Sequence, residues 1–126
     1  MSDKTNPKDL VGIKKVSTFV FPSAATLHGS HAMMYGAGIY GPYNWRDNDV
    51  RASIYLDACE RHLLSWREGE EEALDSGVHH LGHAIACLAI ILDAETTGNL
   101  IDDRPKGGKG CIELLNALNA KIAGKK

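Results

Sequence analysis

The chain has 126 residues, of which 44% are hydrophobic and 24% are charged, with a formal net charge of -2 and a pI near 6.3. This length suits one domain with one core, and the ordinary composition excludes the disordered and fibrous classes. Since there is no excess of positive charge, bulk binding to nucleic acid or to an anionic membrane is not expected. We therefore predict a single domain over residues 1–126.

The cysteines and the apolar segments of the sequence indicate the cellular compartment of the protein. Cys59, Cys87 and Cys111 form none of the paired spacings that zinc sites or disulfide frameworks use. They are typical of buried thiols in a reducing compartment. The first ten residues lack an apolar signal region, and the apolar run 84–92 is about half as long as a membrane span. The sequence predicts a cytoplasmic protein with no membrane partner.

The first half of the chain alternates between irregular and helical patterns. Residues 1–15 are polar and predict an N-terminal arm, and the following "KVSTFVF" predicts a short strand or an extension of that arm. A helix is expected from Pro22-Ser23 to Tyr35. The stretch 36–49, "GAGIYGPYNWRDND", is rich in glycine and aromatic residues and predicts a long loop.

The second half predicts three more helices. The first runs over 49–68, is capped by Asp47 or Asn48, and carries one apolar stripe. The second runs over 77–96, is capped by Ser76, and is apolar on every side from 84 to 92, which places it at the centre of a bundle or in a subunit interface. A breaker-rich loop occupies about 97–110, and a last helix over 111–123 precedes a short tail ending at 126.

These elements together predict a mostly all-α fold. We expect a compact bundle of three to four helices, with the aromatic loop and at most one short N-terminal strand or arm. Residues 20–96 form the core, followed by the 97–110 loop and the 111–126 helix and tail. Because the apolar helix needs cover on every side, we also expect a homo-oligomer.

The stretch "SGVHHLGHAIACLAIILD" at 76–93 places three histidines ahead of an apolar run. On a helix, His79 and His83, or His80 and His83, share a face, whereas all three do not. His62 on the preceding helix would approach His80 and His83 if the two helices are antiparallel neighbours. Partly buried imidazoles need a metal, a phosphate or a carboxylate as partner, and histidines hydrogen-bonded across helices are an equally good interpretation.

Two further regions carry polar chemistry. The connection between these helices contains Glu70, Glu71, Glu72 and Asp75, whose oxygens are ligands for a hard divalent ion or else form a solvated acidic turn. In the predicted loop, Tyr40, Tyr43 and Trp45 are stacking platforms, Asn44 can read a base edge, and Arg46 is a fork donor for phosphate. Packing of these aromatics onto the bundle is the alternative.

Four blocks of sequence together resemble a known family. They are "YGAGIYGPYNWR" at 35–46, "RHLLSW" at 61–66, "GE" at 69–70 and "DSGVHHLGHA" at 75–84. In order and spacing they are similar to the N-terminal domain of dATP/dGTP diphosphohydrolase, a family found mostly in bacteriophages. The resemblance covers about residues 20–95 and implies removal of phosphate from purine deoxynucleotides inside an infected bacterium.

The resemblance implies a set of site residues. It points to Tyr40, Gly41, Asn44, Trp45 and Arg46 in the loop, Arg61 and His62 on a helix, Glu70 in the acidic turn, and His80 and His83 beyond it. His79 stands where the family commonly has proline, so it is the histidine least expected to act.

Two departures from the family pattern weaken catalysis more than binding. Ile39 stands where a lysine is expected before the loop tyrosine, and Ala73 stands where the acidic turn usually has a further aspartate. Glu72 is adjacent to the missing carboxylate, and Asp75 replaces a commoner glutamate. Metal binding therefore remains part of the prediction.

The leading hypothesis is a metal-dependent nucleotide diphosphohydrolase. His62, Glu70, His80 and His83 would hold Mg²⁺ or Mn²⁺, with Glu70 or His62 as catalytic groups. Tyr40, Asn44 and Trp45 would bind the base, and Arg46 and Arg61 the phosphates. One alternative is a phage protein that sequesters a nucleotide or a nucleotide-derived immune signal without cleaving it, in an anti-defence role. A second alternative is a structural helical oligomer.

Overall fold

The computed structural model describes residues 5–124, and these residues are mainly helical. The helices are α1 (Pro7–Gly12), α2 (Ser23–Tyr40), α3 (Asn44–Asp47), α4 (Ala52–Arg67), α5 (His80–Thr97) and α6 (Lys109–Gly124). Two short strands, β1 (Val50–Arg51) and β2 (Leu100–Ile101), accompany them. The predicted mostly α-helical fold is confirmed.

Helix α5 is the centre of the molecule and packs against α2 on one side and α4 on the other. Its buried positions are mostly small, including Gly82, Ala84, Ala86 and Ala94. Small side chains allow helix backbones to approach closely. A Cβ at position 82 would lie 2.5 Å from the carbonyl oxygen of His28 on α2, so only glycine fits there. The central position predicted for this helix follows from its small, apolar composition.

A parallel pair of strands ties the region after α2 to the end of α5. Val50 pairs with Leu100, and the side-chain amide of Asn99 donates to the carbonyls of Trp45 and Asn48, each at 2.8 Å. Beyond β2, the Asp103 carboxylate accepts from the backbone N–H of Ser53 at 2.8 Å. Strands of two residues carry no periodic pattern, which is why the sequence did not predict them.

Two predicted boundaries around the aromatic loop were wrong. Helix α2 continues through Gly36 and Gly38 to Tyr40, so the loop begins five residues later than predicted. Within the remaining loop, Asn44–Asp47 forms one helical turn. Helical φ and ψ are open to glycine at a modest entropic cost, so two glycines do not by themselves end a helix.

The caps of α4 and α5 also differ from the prediction. Helix α4 begins at Ala52, and Arg51 precedes it without a side-chain cap. Helix α5 begins at His80, three residues later than predicted, and its cap is His79, whose Nδ1 accepts from the backbone N–H of Leu81 at 3.0 Å. Ser76 does not cap the helix.

The two ends of the described chain lie away from this core. The predicted arm contains the short helix α1, and the stretch 15–21 is an exposed, irregular segment rather than a strand. Helix α6 begins two residues before the prediction, and all of its described residues are exposed. Cys111 on α6 is therefore exposed, contrary to the expectation that all three cysteines are buried. The parts of the predicted arm and tail at 1–4 and 125–126 lie outside the described residues.

Candidate functional site

A cavity of about 480 Å³ opens between α2, α4 and α5. Its walls contain seven of the residues that the sequence predicts for the site: Tyr40, Gly41, Asn44, Trp45, Arg61, His62 and His83. Tyr55 and Asp75 also line it. A volume of this size falls within the range of small-molecule sites, and the mixture of aromatic walls and convergent polar groups is typical of them.

The outer end of the cavity is aromatic because of the backbone path after α2. Gly41 adopts φ 90° and Tyr43 adopts φ 60°, which turns the chain sharply between Tyr40 and the α3 turn. The rings of Tyr43 and Trp45 then pack with centroids 5.7 Å apart. Tyr40 is 70% exposed at the rim, so its ring is available to a ligand.

Arg46 lies beside the cavity rather than in its wall. Its guanidinium forms two hydrogen bonds to Asp93 on α5, with Nε and Nη2 each 2.8 Å from a carboxylate oxygen. It also stacks over Trp45, with Cζ 5.2 Å from the ring centroid. The hydrogen bond from Arg46 lowers the pKa of Asp93. Arg46 thus fastens the aromatic turn to α5, and its predicted contact with phosphate stays a prediction.

The inner end of the cavity is formed by histidines from α4 and α5. The rings of His62 and His83 are stacked, with centroids 4.4 Å apart and an interplanar angle of 14°. The Nδ1 atoms of His62 and His80 are 2.8 Å apart. The convergence of these three imidazoles, inferred from antiparallel packing of their helices, is present in the structure.

Glu70 extends this cluster into a chain of hydrogen bonds. Its Oε1 lies 2.5 Å from Nε2 of His80, which is 4% exposed. A carboxylate only accepts hydrogen bonds, so Nε2 of His80 carries the proton and Nδ1 of a neutral His80 is an acceptor. The 2.8 Å contact then requires Nδ1 of His62 to donate. The chain leaves Nε2 of His62 with a free lone pair.

The electrostatics of His62 favour the neutral ring that this chain requires. Burial, reinforced by the neighbouring His83 and His80, lowers the pKa of His62 to about 4. Burial also lowers the pKa of His83. At neutral pH, His62 is therefore a neutral imidazole.

His83 is oriented by two partners. Ser76 Oγ accepts from the backbone N–H of Val78 and lies 2.7 Å from Nε2 of His83. A serine hydroxyl has one donor and two acceptor sites, so the Ser76 side chain bonds to Val78 and His83 at the same time. The ring of Tyr35 meets His83 edge-on at 6.0 Å. Ser76, predicted as a helix cap, is instead a support for a cavity histidine.

The acidic turn is a compact hairpin that carries Glu70 into place. His80 N–H donates to the carbonyl of Glu71, and Ala73 N–H donates to that of Val78, each at 2.9 Å. Ala73 and Val78 are buried, with 5% and 1% of their surface exposed. A charged side chain at position 73 would need a partner at this buried point, so Ala73 suits the local packing.

A second, shallower cavity of about 340 Å³ lies on the other side of His62. It is lined by Glu70 and His80 and shares Arg61, His62 and Asp75 with the first cavity. These three shared residues form the boundary at which an elongated ligand would pass from the aromatic cavity to the acidic one.

The four predicted metal ligands lie in one cluster but bond to one another. Both ring nitrogens of His80 are engaged, by His62 and by Glu70, and Nε2 of His83 is engaged by Ser76. Within residues 5–124, no group of three or more histidine, cysteine, aspartate or glutamate side chains is arranged to hold a metal ion. The donor types are right for a divalent metal, whereas the arrangement does not fit one, so the metal stays a prediction.

His79 has a structural place outside the cavity. Besides capping α5, its ring lies 4.7 Å from that of His28, and Nε2 is 3.6 Å from the Glu71 carboxylate. Glu71 also accepts from the indole N–H of Trp66 at 3.3 Å. His79 therefore lies outside both cavities, and its role as the spectator among the three histidines stays a prediction.

Sequence reasoning did not single out Tyr55 and Tyr35 as site residues. Tyr55 belongs to the apolar stripe of α4, and a tyrosine in such a stripe carries no signal that separates core packing from a cavity wall. Burial raises the pKa of its hydroxyl. Only the gap between α2 and α4 turns this stripe position into a cavity wall.

The sequence profile of the family described as "dATP/dGTP diphosphohydrolase, N-terminal" matches residues 5–104. The chain belongs to this family. The match spans α1 to β2 and includes all residues that line the two cavities, whereas α6 lies beyond it. Membership in this nucleotide-processing family implies a nucleotide ligand. No curated protein and no solved structure gave a match to the chain.

None of the helices in residues 5–124 is long and apolar enough to span a membrane.

Proposed function

We propose that this protein hydrolyses purine deoxynucleoside triphosphates and releases diphosphate. The observation that carries the proposal is the chain of hydrogen bonds from Glu70 through His80 to His62, which ends at the boundary between the two cavities. In many hydrolases, likewise, a carboxylate hydrogen-bonds to a histidine and holds it in the orientation of a general base.

The first cavity supplies the binding half of the proposal. A purine base would stack against the exposed ring of Tyr40 and the half-buried Trp45, with Asn44 as a hydrogen-bonding partner. The phosphates would then extend inward toward Arg61, the cation of the cavity wall. A guanidinium at this point would offset charge that develops on the phosphates.

The chemical step follows from the tautomers. A water between the cavities would give a proton to Nε2 of His62 while its oxygen bonds to the α-phosphorus. The bond from this phosphorus to the bridging oxygen breaks, so diphosphate leaves and a nucleoside monophosphate remains. The Nδ1 proton of His62 can shift toward His80 as the Nε2 proton of His80 is held by Glu70, which spreads the new positive charge along the chain.

Replacing Glu70 by glutamine tests the hydrogen-bonded chain. The E70Q protein lacks the negative charge at its end, and we expect diphosphate release from dATP or dGTP to fall roughly 100-fold or more, the usual size of a general-base contribution. The measurement is diphosphate release in the presence of Mg²⁺ or Mn²⁺. Glu68 is exposed and 3.7 Å from Arg67 at the surface, so E68Q is the matched control and should keep the parent rate. Equal rates for E70Q and the parent would contradict the proposed role.

The proposal includes a divalent metal, whose binding is tested separately from catalysis. Binding of Mg²⁺ or Mn²⁺ by His62, Glu70, His80 and His83 would require the hydrogen bonds among them to be replaced. When bound, such an ion would polarise phosphate oxygens and acidify water. Titration of the protein with Mn²⁺, followed by calorimetry, should detect binding that H80A and H83A each weaken. Unchanged affinity in both variants would place the ion elsewhere.

Sequestration without cleavage is the second candidate function. It is favoured by the aromatic cavity together with Ile39, an apolar cavity residue at a position where the family pattern has lysine. The protein would be incubated with mixed nucleotides, cyclic dinucleotides included, and then denatured for mass spectrometry. Recovery of intact nucleotide from the protein, with no diphosphate formed, would show that the protein binds nucleotide without hydrolysing it. Free diphosphate would support hydrolysis.

We propose the cytoplasm of a phage-infected bacterium as the setting. The free thiols of Cys59, Cys87 and Cys111 suit a reducing compartment. An anti-defence role belongs to the sequestration alternative alone, and assembly as a homo-oligomer is compatible with both.

A further inference from the structure

Helix α6 presents an apolar face that nothing in the described chain covers. Leu115, Leu118 and Ile122 are 53%, 46% and 71% exposed. Together with Cys111, they follow a spacing of four, three and four residues, which aligns them on one side of a helix. Four turns of helix with every described residue exposed are marginal in water, so α6 needs a partner to be stable.

The surface area of the chain is large enough to include an uncovered subunit contact. The accessible surface is 10142 Å². A compact monomer of this mass exposes about 6,600 Å² by the usual scaling of surface with mass. The excess is about 3,500 Å², part of which belongs to the exposed N-terminal segment 5–21. It still leaves room for the roughly 1,000 to 2,500 Å² that each subunit contributes to an obligate homodimer interface. The described core is also thin, because Val50 and Val78 are its largest fully buried side chains.

A matching apolar ridge lies on α5. Leu81, Ile85, Leu88 and Leu92 have the same spacing of four, three and four residues as the face of α6. Leu88 and Leu92 are 46% and 64% exposed, whereas Leu81 and Ile85 are half-buried and Ile85 lies against Gly29 of α2. None of the four lines either cavity. The ridge is therefore on the side of α5 that faces away from the candidate site.

We infer that α6 of one copy packs along the α5 ridge of a second copy, and that the reciprocal contact makes a two-fold dimer. Equal spacing lets the side chains of the two helices interdigitate at a small crossing angle. Packing in this way covers both exposed faces and adds a fourth helix to the α2, α5 and α4 layer of each subunit. The two cavities stay open.

The first experiment measures the mass of the full chain in solution by light scattering coupled to size exclusion. We expect a dimer at micromolar concentration. The double variant L115D/L118D should be monomeric, with unchanged helix content by circular dichroism. The matched control is A117D/A120D, which adds the same charge on the opposite side of α6 and should remain assembled. A monomeric parent chain, or an L115D/L118D protein that stays assembled, would overturn the inference.

A second experiment distinguishes the α5 ridge from other partners of α6. L88D/L92D should also be monomeric, and the single variant L92D, at the more exposed position, serves if the double variant fails to fold. Mixing the α6 variant with the α5 variant should yield heterodimers, because one intact α6 face then meets one intact ridge. If the α5 variants keep the parent mass, or if the mixture stays monomeric, α6 does not dock on α5. Both experiments omit nucleotide, so their outcome is independent of the proposed hydrolysis.

Discussion

His62 is the residue at which the two cavities and the hydrogen-bonded chain meet. It stacks on His83, contacts His80, and contributes to both cavity walls. Its place in the site was predictable from the sequence, since helical spacing put it beside the apolar stripe of α4. The free Nε2 lone pair was not predictable, because it depends on which atoms lie within 3 Å of each ring.

The lowered pKa of His62 makes stability depend on pH. In the unfolded chain this histidine binds a proton near pH 6.5, whereas in the folded protein it does so only near pH 4. Between these values the unfolded state holds more protons, so stability falls as the pH is lowered from 6.5 toward 4. We expect a Tm roughly 3–8 °C lower at pH 5 than at pH 7. Calorimetry of the parent and of H62Q should show a smaller difference for the variant. An equal difference in both proteins would assign the pH dependence to other groups.

Arg46, in contrast to His62, has a position that could not be predicted from the sequence. An arginine that follows aromatic residues in a loop is a reasonable phosphate ligand, and the sequence offers no sign that Asp93, 47 positions later, takes both of its donors. The carboxylate and the arginine meet only because β1 and β2 bring the two segments together. Arg61, on a regular helix, was easier to place in the cavity.

At the scale of elements, close packing of α2 on α5 sets the width of the aromatic cavity. Gly29 and Gly82 are the contact points: a Cβ on Gly29 would lie 2.9 Å from Ile85 Cγ2, and one on Gly82 would meet backbone. The sequence predicted both helices, yet nothing in their periodicity identifies which glycines touch. Contact between particular residues of two helices depends on their crossing angle and relative register.

Substitution of Gly82 by alanine tests this contact. The added methyl would lie 2.5 Å from the His28 carbonyl oxygen, so the helices must move apart. We expect a loss of about 1–3 kcal/mol in the free energy of unfolding, since overpacking outweighs the better helix propensity of alanine. Gly38 lies in α2 and has open space around its Cβ position. G38A is the matched control and should be neutral or slightly stabilising in urea unfolding. A G82A protein as stable as G38A would show that α2 and α5 are not this tightly packed.

At the scale of the whole molecule, one subunit contact would explain the exposed faces of both α5 and α6. The sequence predicted a homo-oligomer from the apolar stretch 84–92, and much of that stretch is covered within the chain by α2 and α4. The uncovered part, Leu88 and Leu92, matches α6 in spacing. The expectation of an assembly thus rests on a smaller and better-defined surface.

Assembly also predicts a stability that depends on protein concentration. If α6 is ordered mainly by a second copy, dissociation is coupled to unfolding, and mass action raises Tm as concentration rises. A hundredfold increase in concentration should raise Tm by roughly 5 °C. The L115D/L118D protein provides the reference, and its Tm should not change with concentration. A parent Tm that is equally constant would argue against coupled assembly.

The sequence by itself determined the helical class, the aromatic turn and the residue types of the candidate site. These follow from local patterns, because helical periodicity, turn residues and block spacing are properties of neighbouring positions. Only the tertiary structure decided that Glu70, His80 and His62 form one hydrogen-bonded chain and that Arg46 pairs with Asp93. Each of these contacts joins atoms under 3 Å apart on different elements, and a shift of one helix by a fraction of a turn would break them.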